Sequence, residues 1–219
     1  MSNANNTLLR YCLTLAGVAV IAAILVAVVH RATQQGIADQ QQDNERQALN
    51  QVLPATLHDN DLLTTRFTLG PDTQGYEQLP LLGLSAGRKG YIALRNDAVS
   101  GIVLPLEATG YGGPIVLLIG IAADGKITGV RVQQHAETPG LGDSIDIHVS
   151  PWITVFDHRN LDDTPEPLWH VKQDGGDFDQ FTGATITPRA VVGAVYNALQ
   201  FFELNKDKLL KQPANKEPR

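Results

Sequence analysis

The 219-residue sequence has a single cysteine, Cys12, and that scarcity is the first constraint on its chemistry. One thiol cannot close an intrachain disulfide, nor can it supply the thiolate set that holds an iron–sulfur cluster. Any redox chemistry must therefore come from an organic cofactor or from ligands without sulfur. Basic residues are also short: 17 Lys and Arg stand against 23 Asp and Glu, giving a net charge of −6 and a pI near 5.4. No basic excess is available to neutralise phosphates, which excludes general nucleic-acid binding. A zinc-hydrolase signature is missing too, since H-E-x-x-H does not occur. Asp174, Asp177 and Asp179 cluster in a way that suggests calcium. An EF-hand loop starting at Asp177 would need Gly and Glu where Thr182 and Pro188 stand, so no metal site is expected.

What the chain does have is an apolar run near its start. Residues 11–29 carry no charge and are dense in Val, Ala, Ile and Leu, with Arg10 before them and His30 and Arg31 after. As a helix this run is about 28 Å long, close to the hydrocarbon thickness of a bilayer. A cleaved signal peptide is the competing reading, but its apolar region is normally shorter, and no small-x-small cleavage site follows. The expected division is a cytoplasmic tail at 1–10, a transmembrane anchor at 11–30 and a helical stalk at 31–54. A lead-in at 55–88, a folded domain at 89–205 and a polar tail at 206–219 follow. Arg10 and the α-amino group favour a cytoplasmic N-terminus, although Arg31 leaves the bias small. The acidic remainder would then lie outside, which in a Gram-negative bacterial cell is the periplasmic side of the inner membrane.

Past the anchor, 32–50 is rich in Gln, Ala and Asp and reads as a polar helix that ends before Pro54, a solvated spacer from the bilayer. A short helix and irregular structure are expected over 55–87. Strands are expected at 91–95, 99–106, 115–122 and 126–134, with a turn at Asn96–Asp97. Asp124–Gly125 between two apolar runs predicts a type I′ hairpin turn, with positive φ at both central residues. The 115–122 run should be a strand buried on both faces. A short helix near Trp152 and a strand at 169–172 complete the middle. The last element is a helix with Thr187 as N-cap, Pro188 in the first turn and an apolar stripe of Val191, Val195, Leu199 and Phe202. A hairpin-built, mainly antiparallel sheet with segregated helices is an α+β domain.

Two segments offer chemistry. Residues 182–187 place the hydroxyls of Thr182, Thr185 and Thr187, together with Gly183 and Ala184, at the start of that helix. Unpaired backbone N–H groups and a partial positive charge at such an end favour a phosphate. An ordinary cap, with Thr hydroxyls bonding the backbone, explains the same residues, and composition alone favours it. The second segment, 135–143, reads His-Ala-Glu-Thr-Pro-Gly-Leu-Gly-Asp. Pro139, Gly140 and Gly142 make a tight loop that brings backbone close to a flat ring, and Glu137 and Thr138 offer hydrogen bonds to its polar edge. A plain connecting loop fits this composition as well.

Residues 179–185, Asp-Gln-Phe-Thr-Gly-Ala-Thr, match the D-x-x-(S/T)-G-A-T signature of proteins flavinylated by a dedicated flavin transferase. Segment 135–143 resembles the H-x-E-T-P-G-L-G-D loop of the same flavin-binding domains. With Trp152, 172–178 and 188–192, the chain resembles the G-subunit family of Rnf-type ion-translocating oxidoreductases over nearly its whole length. The resemblance implies FMN joined through its phosphate to Thr185 and not to Thr187. It implies flavin contacts from Thr182, Gly183, Ala184, Thr187, Glu137, Thr138, Gly140 and Leu141, and recognition of Asp179 by the transferase. Phe178 and Phe181 either pack on the flavin or anchor the loop to the core.

The implied role is an electron-transfer subunit with no catalytic residue of its own and no independent turnover. It would work within a membrane complex that moves electrons between ferredoxin and NAD, coupled to sodium or proton movement. Its partners would be the other subunits, the flavin transferase and the lipid bilayer. The C-type component of the sodium-pumping quinone reductase shares the motif and is the alternative. An anchored, non-redox interaction domain on the same fold is the reading from another class.

Overall fold

The computed structural model describes residues 2–211, with side chains from residue 11 onward except those of 12, 14, 29, 32–39 and 41. Two compact units divide it, residues 1–45 and 46–219. Helix α1 (Ser2–Val52) makes up the first unit and opens the second. In the first unit the described apolar side chains face outward, from Tyr11 and Leu13 through Leu25, Val26 and Val28. Among the described residues, no helix is long and apolar enough to cross a membrane. The longest uninterrupted apolar stretch of described side chains, residues 15–28, spans about 21 Å. The expected tail at 1–10 and part of the anchor have side chains outside the described residues, as does the polar tail from 212 onward.

The second unit is built on five strands: β1 (Arg66–Leu69), β2 (Arg88–Arg95), β3 (Ala98–Thr109), β4 (Pro114–Ala122) and β5 (Ile127–Gln134). They pair in sequence order, every neighbour antiparallel, so each connection is a return that needs no crossover. Period-two alternation splits their side chains between two apolar layers. Ile102, Leu104 and Leu106 of β3 face one layer together with Ile115, Leu117 and Ile119 of β4, whereas Tyr91, Ala93 and Val103 face the other.

Helix α2 (Ile186–Leu210) covers the first face, with Val191, Val195, Leu199 and Phe202 all buried as the apolar stripe requires. Burying each such side chain contributes about 1.5–3 kcal/mol. The helix runs past residue 205, with Leu209 buried, so the first part of the expected polar tail is helical.

The opposite face corrects the expected stalk. The end of α1 is packed, with Leu49, Val52 and Leu53 buried against Leu62, Tyr91, Ala93 and Val103. Gly120 of β4 and Gly129 of β5 are register partners. A Cβ on either would strike the α1 backbone at residues 51 and 52, so the glycine pair forms a notch for the helix end. Thr128 Oγ1 donates to the Val52 carbonyl, one of the orphan acceptors of the last turn.

Other expectations change in detail. The lead-in at 55–88 holds strand β1 as well as short 3-10 turns at Ala55–Leu57, Leu62–Thr64 and Leu79–Leu82. Asn96 and Asp97 both have positive φ, at 52° and 61°, and make the type I′ geometry there. At 123–125 only Gly125 does, at 89°, so that hairpin has a three-residue loop with a left-handed last residue. The expected strand at 169–172 reduces to one bridge between Val171 and Phe178, followed by a 3-10 turn, Lys172–Asp174. Near Trp152 the helix is also 3-10, Pro151–Phe156.

Candidate functional site

Two loops meet at the head of α2, one following β5 and one preceding the helix. They line an open cleft of about 230 Å³. Tyr111 enters from the β3–β4 turn, Glu137, Thr138, Leu141 and Gly142 from the first loop, and Gly183, Ala184, Thr185 and Ile186 from the second. The structure thus brings together two segments that were each singled out in the sequence and lie far apart in it, as the Glu137–Thr187 contact across 50 residues shows. Tyr111, Leu141 and Ile186 are large apolar side chains left 74%, 46% and 49% exposed, so the wall of the cleft is apolar and open.

The second loop is shaped by its glycine. The Ala184 N–H donates to the Phe181 carbonyl at 3.1 Å, closing a turn in which Gly183 has φ of 80°. An L side chain there would be strained. The turn delivers Thr185 as the N-cap of α2, and the Arg189 N–H closes the first helical ring onto its carbonyl at 3.2 Å. This corrects the expected cap at Thr187. Pro188 consequently stands third in the helix, still inside the turn whose N–H groups have no intrahelical partner. No side-chain cap bond is made at this end.

The three hydroxyls therefore sit in different surroundings. Thr187 is fully buried and donates to a Glu137 carboxylate oxygen. Thr185 is half-buried on the cleft wall, and its hydroxyl donates to Gln173 Oε1 at 3.3 Å, a long bond. Thr182 is exposed and does not line the cleft.

Glu137 is 5% exposed and its carboxylate is engaged on both oxygens. Oε1 accepts from the Gly112 N–H at 2.9 Å, and Oε2 accepts from Thr187. Its part in the site is to tie the β3–β4 turn to the start of α2. The neighbouring Thr138 is exposed, and its carbonyl closes the loop by accepting from Leu141 and Gly142 N–H groups at 3.1 and 3.2 Å. Gly140 lies at the loop tip, outside the cleft lining, where its N–H donates to Asp143 Oδ1 at 2.8 Å.

The Lys172–Asp174 turn braces the second loop from outside. Lys172 Nζ pairs with Asp179 Oδ1 at 2.7 Å, and this hydrogen bond holds the Lys172 ammonium above its ordinary range. Asp174 takes a two-pronged contact from Arg189, at 2.6 and 2.9 Å, which depresses its carboxyl. Trp152 Nε1 donates to the Asp179 carbonyl at 2.8 Å, fixing the backbone while the Asp179 side chain stays 70% exposed. Phe178 is fully buried, with ring centroids 5.0 Å from Phe156 and 5.3 Å from Trp169. Phe181 packs edge-on against Trp152 at 5.0 Å. Both anchor the loop, and neither lines the cleft. Sequence reasoning missed Tyr111 and Ile186 as lining residues and Gln173 as the partner of Thr185. Only the glycine-rich turn around Tyr111 hinted at the first.

A family model described as an FMN-binding domain matches residues 110–200, and one described as the RnfG N-terminal region matches residues 1–52. The chain is 43% identical over 206 residues to the G subunit of an ion-translocating oxidoreductase complex from Pseudomonas aeruginosa, covering 93% of this chain and 92% of that one. The corresponding G subunit from Vibrio atlanticus is 43% identical over 211 residues, covering 96% and 97%. Among solved structures, the C-type component of a Na(+)-translocating NADH-quinone reductase from Parabacteroides distasonis shares the fold. Its TM-score is 0.50 at 18% identity, covering 82% of this chain and 98% of that one.

Proposed function

The chain belongs to the G-subunit family of ion-translocating oxidoreductase complexes, and from that membership we propose that it carries FMN as a phosphoester on Thr185. The observation that carries the assignment is the contrast between neighbouring hydroxyls: Thr185 opens on the cleft at an uncapped helix start, whereas Thr187 is buried and committed to Glu137.

The residues present fit the group. Helix N–H groups suit a phosphoryl group beside Thr185. Leu141, Ile186 and Tyr111 offer apolar surface to a flat ring. The cleft, about 230 Å³, is smaller than the roughly 300–1,000 Å³ that encloses a drug-sized ligand, so it suits a flavin held at one end and open at the other. When bound, FMN supplies one- or two-electron transfer. The chain's share is to fix its position and to limit water on one side.

The proposal extends to a place in the complex. This protein acts as a single-site carrier for electrons moving between ferredoxin and NAD, dependent on the other subunits for ion movement and on a flavin transferase that reads Asp179. Support for a membrane anchor comes from the outward-facing apolar side chains of α1 from Tyr11 to Val28. Charge bias around Arg10 supports a periplasmic domain. A C-terminal reporter active only in the cytoplasm should be silent, and a signal from it would reverse that orientation.

In-gel flavin fluorescence tests the attachment. Protein co-expressed with the transferase should give a fluorescent band after full denaturation, which a non-covalent site cannot do. A dark band under those conditions would refute it.

A further inference from the structure

We propose that Arg189, which lies outside the flavinylation signature, is the cationic partner of the phosphoryl group on Thr185, held ready for that role by Asp174. The proposal rests on Thr185 as the site of attachment and adds what holds the attached group.

Position comes first. The Arg189 N–H donates to the Thr185 carbonyl, so the two residues stand one helical turn apart on the same face. Side chains of a helix lean toward its N-terminus, which carries the Arg189 side chain back over the turn that begins with Thr185. Its guanidinium is not spent on packing, because the side chain is 47% exposed. It is nonetheless fixed. Nε lies 2.6 Å from Asp174 Oδ2 and Nη2 lies 2.9 Å from Asp174 Oδ1. That fork engages only part of the guanidinium's donor set and leaves the rest for a second anion.

The holder stands in the right place. Asp174 follows Gln173, whose Oε1 accepts from the Thr185 hydroxyl. The residue that fixes the cation is thus next to the residue that touches the acceptor oxygen. Charge makes the same point. Attachment of FMN converts a neutral hydroxyl into an ester bearing a negative phosphoryl group. Asp179 nearby is already paired with Lys172, and without Arg189 the Asp174 carboxylate would face that new charge as a like charge. Arginine suits the task better than lysine, because its planar fork can bridge a carboxylate and a phosphoryl group at once.

An ordinary surface ion pair would stabilise the flavinylated and unflavinylated chains alike, and that separates the two roles. Thermal unfolding of the full-length chain would be followed in both forms, at low and high salt. The proteins compared are wild type, Arg189→Gln, Arg189→Lys and the double variant Asp174→Asn/Arg189→Gln. A wild-type chain without FMN on Thr185 after co-expression with the transferase would remove the underlying reading, and this one with it. Given flavinylated wild type, Arg189→Gln should lower the midpoint of the flavinylated form by about 1–3 °C more than that of the unflavinylated form. The excess should fade at high salt, shrink in Arg189→Lys and persist in the double variant. Equal shifts in the two forms would overturn the proposal. So would an excess that vanishes in the double variant, since it would then report repulsion by Asp174 and not attraction by Arg189.

Discussion

The hydroxyl of Thr187 donates to the buried carboxylate of Glu137, a contact across 50 residues that joins the loop after β5 to the first turn of α2. The other carboxylate oxygen of Glu137 accepts from the Gly112 N–H, so one side chain holds three segments of the cleft together.

Truncating Glu137 strands the buried Thr187 hydroxyl and takes the acceptor from the Gly112 N–H. Glu137→Ala should therefore lower unfolding free energy by about 2–3 kcal/mol. Thr187→Val, which removes one donor, should cost about 1–2 kcal/mol. Urea unfolding midpoints check both. A cost for Glu137→Ala no larger than that of an exposed substitution would contradict the clamp.

Asp179 behaves differently, because its side chain is 70% exposed in the ion pair with Lys172. Solvent screens such a pair and leaves it little net stabilisation, so Asp179→Ala should leave the unfolding midpoint nearly unchanged. Slower flavin incorporation in that variant, followed by mass over time, would then report recognition by the transferase and not folding. Incorporation at the wild-type rate would show that Asp179 has no such part.

Asp157 lies away from the cleft and carries a pH signature. Burial pushes its carboxyl above the ordinary 3.8, only partly opposed by Arg131 and His158. Its Oδ1 is buried without a hydrogen-bond partner among the described residues. A carboxyl raised on folding binds its proton more tightly in the folded state, so stability falls as pH rises from 3.8 through the raised value. Asp157→Asn should therefore stabilise the protein at pH 7, by roughly 1 kcal/mol, and lose that advantage in acid below the ordinary carboxyl value. Thermal midpoints across that range test the sign.

Much of the fold was legible because its signals are local. The stripe Val191, Val195, Leu199 and Phe202 specifies the buried face of α2, and Asn96–Asp97 marks a tight turn. The helical course of 32–50 was legible as well. That its end is a core element was not, because Leu49, Val52 and Leu53 are too few to set a period, and their notch depends on Gly120 meeting Gly129 across two strands. Within the cleft, the D-x-x-T-G-A-T motif singled out Thr185 by resemblance. The physics of composition alone preferred a cap at Thr187, whose hydroxyl the fold instead assigns to Glu137. Tyr111 escaped notice because it reaches the cleft only through tertiary packing, and Gln173 because it meets Thr185 in the same way.

The most direct test is the intact mass of the full-length chain co-expressed with a flavin transferase. Ester formation replaces the Thr185 hydroxyl hydrogen, so wild type and Thr187→Val should both gain the mass of FMN less water, and Thr185→Val should gain nothing. An unmodified wild-type chain, or a Thr185→Val chain that still carries the added mass, would contradict the account.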